Sequence, residues 1–361
     1  MVAPSGAGHP STINRSGSPA ACASIVRKMC GVMPLLLTEH DIKQVLSMPD
    51  LIEAMADALA DYSAARVIQP VRTVLEVGPA HSYFGVMPAA SVDEAGQGTM
   101  GAKLVTVYAS NHARGLTSHL ATIILMDAET GALTALLDGR YITESRTAAV
   151  SAVSVDRMAR TDAQVLAIIG TGVQARSHLE AIRHVRPLSA VRVWSPNPEH
   201  SAQFAKDMTV HCGIPVWSAD DASSAVREAD IVVLVTGSTT PVITRQDVAP
   251  GTHICAVGAC RPTHREMSTS LVTAARVIVD SRAGAVLEAG DLVIPISEGA
   301  INERHIAGEL GEVVLGQCVG RRHDDEITVF KSLGMAVEDI VAARLAVDRA
   351  EAAGLGQRFT L

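Results

Sequence analysis

The sequence predicts an α/β protein in which a parallel, doubly wound sheet is joined to a second, α+β domain. Three observations carry this expectation. Residues 163–182, AQVLAIIGTGVQARSHLEAI, read as strand, tight glycine turn and helix. Residues 163–281 alternate strand and helix throughout, which implies parallel strands with crossover helices. Residues 67–138 have a period of two before that alternation begins. The chain's 361 residues give room for two domains.

In the glycine turn, the apolar run from Val165 to Ile169 stops at Gly170-Thr171-Gly172. Val173, Ala175, His178, Leu179 and Ile182 then follow at helical spacing, giving the form G-x-G-x-x-A. In a Rossmann dinucleotide domain Gly170 permits the turn and Gly172 lets the backbone approach a pyrophosphate. Ala175 keeps helix and strand close. The first N–H groups of the helix, around Val173 and Gln174, offer partial positive charge to phosphates. A residue at the tip of the second strand reads the ribose, and here strand VRVW ends in Ser195-Pro196-Asn197, about 25 residues past Gly170. No acid at Ser195 or Asn197 admits the 2′-phosphate of NADP, and no arginine clamps it. NADPH is expected over NADH, with NAD still possible. The same three residues also fit an ordinary turn.

Composition sets the other bounds. Hydrophobic residues make up 48% and charged ones 19%, which supports a full core and excludes a disordered chain. Aromatics are only 3%, so that core must be aliphatic and alanine-rich. A net charge of −8 with no basic stripe argues against nucleic acid as a partner. The six cysteines are scattered, without zinc spacing, so reduced thiols in a cytoplasmic protein and no metal are expected. No apolar run approaches the length of a membrane span.

Taken in order, residues 1–32 are rich in Ser, Gly, Ala and Pro, and the first acidic residue is Glu39. They read as a disordered extension, with Met33 an alternative start, or as a targeting peptide. Residues 38–65 read as two helices, the first opened by Thr38 with Asp41 as its N-cap pattern. Strands follow in RVIQPVRTVLEVG, SYFGVMPAA, GAKLVTVYAS and HLATIILMDAETGALTALLDG, with Glu129-Thr130-Gly131 as a hairpin turn. Residues 140–160 read as a helix capped by Thr143 or Ser145. Strands are expected at 165–169, 191–195, 231–236, 253–257 and 276–280, with a short one near Val216. The helices between them are expected at 173–185, 198–208 and 222–229. Beyond Asp280 come a helical segment, loops and a long amphipathic helix, none supplying a strand to the nucleotide sheet. The expected domains are 33–156, completed by 291–361, for substrate and dimer contacts, and 157–290 for the dinucleotide.

Three cations sit inside apolar segments: Lys103 in GAKLVTVYA, Arg72 in QPVRTVLEV and Arg146 in TESRTAAVS. A buried charge needs a partner, and an anionic substrate could be one. Arginine suits a bidentate hold on a carboxylate; lysine suits an acid of lowered pKa. Ordinary salt bridges or solvent-facing positions explain the same pattern.

The strings QPVRT, GAKLVTVY, LLDGRYITESRTAAVSA, IIGTGVQA, VGACRP, GELGEV and VFKSLGMAVED resemble the ornithine cyclodeaminase/mu-crystallin family, from residue 33 to about residue 344. QPVRT, RTAAVSA and TVFKSLGMAVED look closest to its mu-crystallin-type ketimine reductases. The resemblance implies that Arg72 and Arg146 hold a substrate carboxylate and that Lys103 lies beside the reacting carbon and nitrogen. It implies that Ser118, His119 and Thr147 line the nicotinamide and phosphates. Thr236 and Val257 would contact the cofactor at later strand ends, and Lys331 with Ser332 from the C-terminal segment. His119 fits a core histidine equally well. Cyclodeaminases and alanine dehydrogenases of the family carry an aspartate where this chain has Cys260, in Val257-Gly258-Ala259-Cys260. A thiol is mostly neutral at pH 7 and replaces neither a base nor an ammonium holder. Burial is the expected state of Cys260.

The resemblance therefore implies NAD(P)H-dependent reduction of a cyclic ketimine carboxylate, Δ1-pyrroline-2-carboxylate or Δ1-piperideine-2-carboxylate, to proline or pipecolate, by a homodimer. Ornithine cyclodeamination, an alanine dehydrogenase-like reaction and non-enzymatic NADP binding are the alternatives.

Overall fold

Two eight-stranded sheets stand side by side among the residues that the computed structural model describes, 33–78, 82–92 and 98–360. The expectation for residues 1–32 lies outside the described residues. The first sheet contains β1 (Leu35–Leu37), β2 (Val67–Ile68), β3 (Thr73–Val77), β4 (Ser82–Val92), β5 (Gly98–Val107), β6 (His119–Met126), β7 (Leu133–Asp138) and β16 (Gln357–Arg358). Its order is β16-β1-β7-β6-β5-β4-β2, with β3 also paired to β4. Only the β1–β7 pair among them is parallel. Period-two burial on β6 turns Ala121, Ile123 and Leu125 inward. Ile123 and Leu125 share one core with Ile42 of α1 (Glu39–Val45), Leu51, Met55 and Leu59 of α2 (Met48–Ser63), and Val337 and Ile340 of α11 (Ala336–Ala353). The long C-terminal helix thus packs back on the first domain, as its amphipathic pattern requires.

Local chemistry explains the ends of these elements. Thr38 and Asp41 form a reciprocal capping box on α1, and Ser47 caps α2 ahead of Pro49. The β6–β7 hairpin turns through Asp127, whose carboxylate accepts from the Thr130 N–H at 2.8 Å, and Gly131 takes φ +72°. The next helix, α3 (Arg140–Met158), corrects an expectation. Its N-cap is Gly139, not Thr143 or Ser145. Both hydroxyls lie inside the helix and donate back to the carbonyls of Gly139 and Tyr141 at 2.7 Å.

The second sheet is parallel throughout, in the order β10-β9-β8-β11-β12-β15-β13-β14. Its strands are β8 (Val165–Ile169), β9 (Ala190–Trp194), β10 (Val216–Ser218), β11 (Ile231–Leu234), β12 (His253–Ala256), β13 (Arg276–Val279), β14 (Ile306–Glu309) and β15 (Thr328–Lys331). Helices α4 (Val173–Ile182), α5 (Pro198–Cys212), α6 (Ala222–Val226), α7 (Thr269–Ala274), α8 (Arg282–Glu288), α9 (Gly290–Ser297) and α10 (Leu310–Val314) connect them. The C-terminal segment therefore does supply strands to this sheet, contrary to expectation: β14 forms an edge and β15 inserts between β12 and β13. Four-residue strands buried on both faces show no alternation, and Thr328 and Lys331 interrupt the apolar run that would mark β15.

The sheet order reverses between β8 and β11, and there Gly170 adopts φ +120°. A Cβ on Gly170 would lie 2.8 Å from the Val235 carbonyl oxygen, so the turn can close only on glycine.

Candidate active site

A cleft of about 870 Å³ opens between the two sheets, at the C-terminal ends of β11, β12 and β15. Open parallel sheets bind ligands at such strand ends. Its first-domain wall carries Arg72, Lys103, His119, Arg146 and Thr147; its second-domain wall carries Gln174, Thr236, Val257, Cys260 and Ser332. Residues from distant parts of the chain thus face one volume.

The charged floor is built where β5, α3 and α11 meet. Lys103 is buried with its Nζ 2.7 Å from Asp339 Oδ2. Arg146, also buried, donates from Nε to Asp339 Oδ1 at 2.9 Å and from Nη1 to Glu338. The partners of both cations are therefore carboxylates of this chain, the ordinary salt bridges that the sequence allowed beside an anionic substrate. Gly334, at φ +80°, makes space for Arg146: a Cβ there would lie 2.5 Å from Nη1. Burial, reinforced by Arg146 and Arg72 against Asp339, pulls the Lys103 ammonium down to about 8. Burial pushes the Glu338 carboxyl up to about 7 against the pull of Arg146. Near neutral pH the cluster thus holds two cations against one full carboxylate and one partly protonated one. That balance suits an added anion. Burial, then Lys103 and Arg146, pull His119 down to about 4, so its ring is neutral at pH 7.

Arg72 is half-buried one residue before β3. Its Nε pairs with Glu288 at 3.1 Å and its Nη2 donates to the Leu333 carbonyl at 2.7 Å. At the cleft rim Arg261 stacks 3.9 Å from the centre of the Tyr83 ring and donates to its hydroxyl at 3.1 Å, bridging the two sheets.

Of the glycine-turn segment only Gln174 lines the cleft, but the features of the turn itself fit a dinucleotide. Gly172 is the N-cap of α4, makes no side-chain cap, and would have open space around a Cβ. Val173 beside it is exposed, while Ala175 is buried against the sheet. Of the six buried side-chain polar atoms without a hydrogen-bond partner among the described residues, Gln174 Oε1 and Ser332 Oγ belong to residues that line the cleft. At the second strand end Ser195 Oγ donates to the Asn197 carbonyl at 2.9 Å, and Asn197 Oδ1 caps α5 by accepting from Glu199 N. Both side chains are engaged in the turn, as the plainer reading of Ser195-Pro196-Asn197 has it.

Eight expected contacts stand apart from the cleft lining: Gly170, Gly172, Val173, Ala175, Ser195, Asn197, Ser118 and Lys331. Ser118 accepts from Tyr108 N through its carbonyl, and Lys331 is fully buried with Nζ 3.2 Å from Asp291 Oδ2. Cys260 is exposed on the cleft wall, not buried, with Sγ donating to the Val257 carbonyl at 3.2 Å. His264, four residues on, has its Nδ1 3.0 Å from the Thr263 hydroxyl. Sequence reasoning missed Glu338, Asp339, Glu288 and Glu266. The pair Glu338-Asp339 stood in a quoted motif, but two acids in the first turn of a helix also read as ordinary complements of its dipole.

Comparison with known proteins agrees with this architecture. The sequence model of the ornithine cyclodeaminase/mu-crystallin family matches residues 32–354. The chain is 37% identical over 326 residues to a Δ1-pyrroline-2-carboxylate reductase of Bacillus cereus, covering 90% of this chain and 99% of that one. It is 40% identical over 319 residues to the ketimine reductase mu-crystallin of Mus musculus, covering 87% and 97%. Among solved structures, the Thermococcus litoralis Δ1-pyrroline-2-carboxylate reductase in complex with NADH and L-proline superposes with a TM-score of 0.87. That pair shares 37% identity over 90% of this chain and 100% of the other.

Proposed function

The chain belongs to the ornithine cyclodeaminase/mu-crystallin family, and from that premise we propose that it reduces cyclic ketimine carboxylates. The substrates are Δ1-pyrroline-2-carboxylate or Δ1-piperideine-2-carboxylate, the products L-proline or L-pipecolate, and the coenzyme NAD(P)H. The observation that carries this reading is the buried Lys103–Arg146 cluster sharing one cleft with Gln174 of the glycine-turn helix and the strand ends at Thr236 and Val257. The relatives named above support it.

Gly170, Gly172 and the start of α4 would hold the pyrophosphate of a reduced dinucleotide, whose nicotinamide would supply the hydride. The protein's own residues place the imine. Arg146, and Arg72 after loosening its hold on Glu288, pair with the substrate carboxylate. Lys103 Nζ, oriented by Asp339, gives the ring nitrogen its proton as the carbon is reduced, and recovers one from water in the cleft. The thiol of Cys260 stands where a carboxylate would serve deamination, which favours imine reduction over cyclodeamination. The free thiols fit a cytoplasmic protein, and no described helix is long and apolar enough to cross a membrane. Exposed Ile68, Leu75 and Leu120 on the first sheet support a homodimer through that domain. The strand end without an acid supports NADPH over NADH.

Initial rates with Δ1-pyrroline-2-carboxylate and with the ring lacking its carboxylate, 1-pyrroline, test the reading. A loss of at least about 10³-fold in kcat/KM is expected for the latter, the worth of a lost carboxylate clamp in a desolvated site. Equal rates would remove the clamp. In the same assay Arg72→Ala raises KM for the carboxylate substrate by about 10- to 100-fold with a smaller change in kcat, since it removes ground-state binding. The pH profile is a third expectation. The acid form of Lys103 is the active one, so kcat/KM holds below about 8 and falls as pH rises through that value. A falling limb near the ordinary lysine value of about 10.4 would show that burial does not tune this group.

A further inference from the structure

Resting on the reading of the cleft as a dinucleotide site, we propose that Glu266 is a positioning residue for the coenzyme. It fixes the two strand ends on which the nicotinamide half lies. The paired ladder of β11 and β12 ends at Leu234 and Ala256. Beyond it the chain continues into Thr236 and Gly258, and both line the cleft. No ladder pair joins these two residues, although the Gly258 N–H also donates to the Leu234 carbonyl at 3.1 Å; the Glu266 carboxylate spans them. Its Oε1 accepts from Thr236 N at 2.6 Å and from Thr236 Oγ1 at 2.8 Å, while Oε2 accepts from Gly258 N at 2.8 Å. The two segments touch directly, since a Cβ on Gly258 would lie 2.1 Å from the Thr236 carbonyl oxygen.

Glu266 is itself fully buried and held from behind. Its N–H donates to Asp291 Oδ1 at 2.8 Å, and Asp291 Oδ2 lies 3.2 Å from Lys331 Nζ. Three ionisable groups are thus kept out of water beneath the cleft wall. A core that needed only packing would use apolar side chains there, because buried charges are costly unless they hold something in place. What Glu266 holds is the backbone facing the coenzyme, at the carboxyl ends of parallel strands where ligands bind. Lys331, which the family resemblance places on the cofactor side, acts through this same cluster behind the wall.

The test uses Glu266→Gln, whose amide keeps the shape but offers one accepting oxygen. Its NH2 would meet one of the two backbone N–H groups donor to donor. NADPH affinity is measured by isothermal titration, and kcat and the imine KM by initial rates, for wild type and variant. The Kd for NADPH is expected to rise about 10-fold and kcat to fall at least about 10-fold, with the imine KM within about twofold. A residue that only supported folding would lower the melting temperature and leave Kd and kcat alone. Glu266→Asp, which keeps the charge but reaches only one strand end, should give a smaller loss of the same pattern. It carries the decision if the glutamine variant does not fold. Either folded variant binding NADPH and turning over within about twofold of wild type would overturn the proposal. A wild-type chain that binds no NADPH would instead remove the reading of the cleft.

Discussion

Lys103→Ala is expected to lower turnover of cyclic ketimines by about 10²–10⁴-fold, the range of a lost general acid, while NADPH affinity changes little. The two effects separate because Lys103 stands on β5, on a different wall of the cleft from Gln174 of the glycine-turn helix. Its Nζ is held by Asp339 and its pKa lies near 8, so at neutral pH it is a ready proton donor and not a permanent cation. Lys103→Arg should not restore the rate, because a guanidinium does not give up its proton near pH 8. Titration calorimetry with NADPH beside steady-state rates checks both halves of the statement. Unchanged turnover in the alanine variant would remove the lysine from the chemistry.

Arg146→Ala should have the largest effect on stability. Arg146 is buried against Glu338 and Asp339, which are both without exposed surface. Removing one partner of a buried ion pair costs about 3–5 kcal/mol, because the remaining charge has neither water nor counterion. Asp339 keeps Lys103, and Glu338 can take up a proton, which places the loss toward the lower end of that range. The sign of its pH dependence follows. Glu338 already titrates near 7 in the folded chain, above its unfolded value, so it favours folding at low pH and the benefit fades as pH rises through 7. Without Arg146 the folded pKa moves higher still, and the difference between variant and wild type grows from pH 6 to pH 8. Urea denaturation at the two pH values measures it. A loss that is the same at both would show that Glu338 does not take up the proton.

Much of this arrangement was legible in the sequence because it is local. The strand, glycine turn and helix at 163–182 announce themselves through period and glycine spacing, and Gly170 does take the positive φ that the motif demands. Lys103 and Arg146 stood out as cations in apolar surroundings, and both are buried at the cleft. What could not be read is set by tertiary contact. Asp339, 193 residues from Arg146, reaches it only because α11 folds back across the first sheet. The insertion of β15 between β12 and β13 depends on a long-range pairing of a four-residue strand that local pattern does not specify. Cys260 looked like a buried thiol because free cysteines usually are. Its position just past the end of β12 puts it on the cleft wall instead, where the chemistry is.

The central claim is that this cleft reduces a preformed cyclic imine. Coenzyme absorbance followed with Δ1-pyrroline-2-carboxylate, Δ1-piperideine-2-carboxylate and ornithine, with proline and pipecolate quantified, tests it directly. Stoichiometric NADPH oxidation with one or both cyclic imines, and no proline from ornithine, is the predicted result. Proline formed from ornithine without net coenzyme use, or bound coenzyme with no turnover of any of the three, would contradict it.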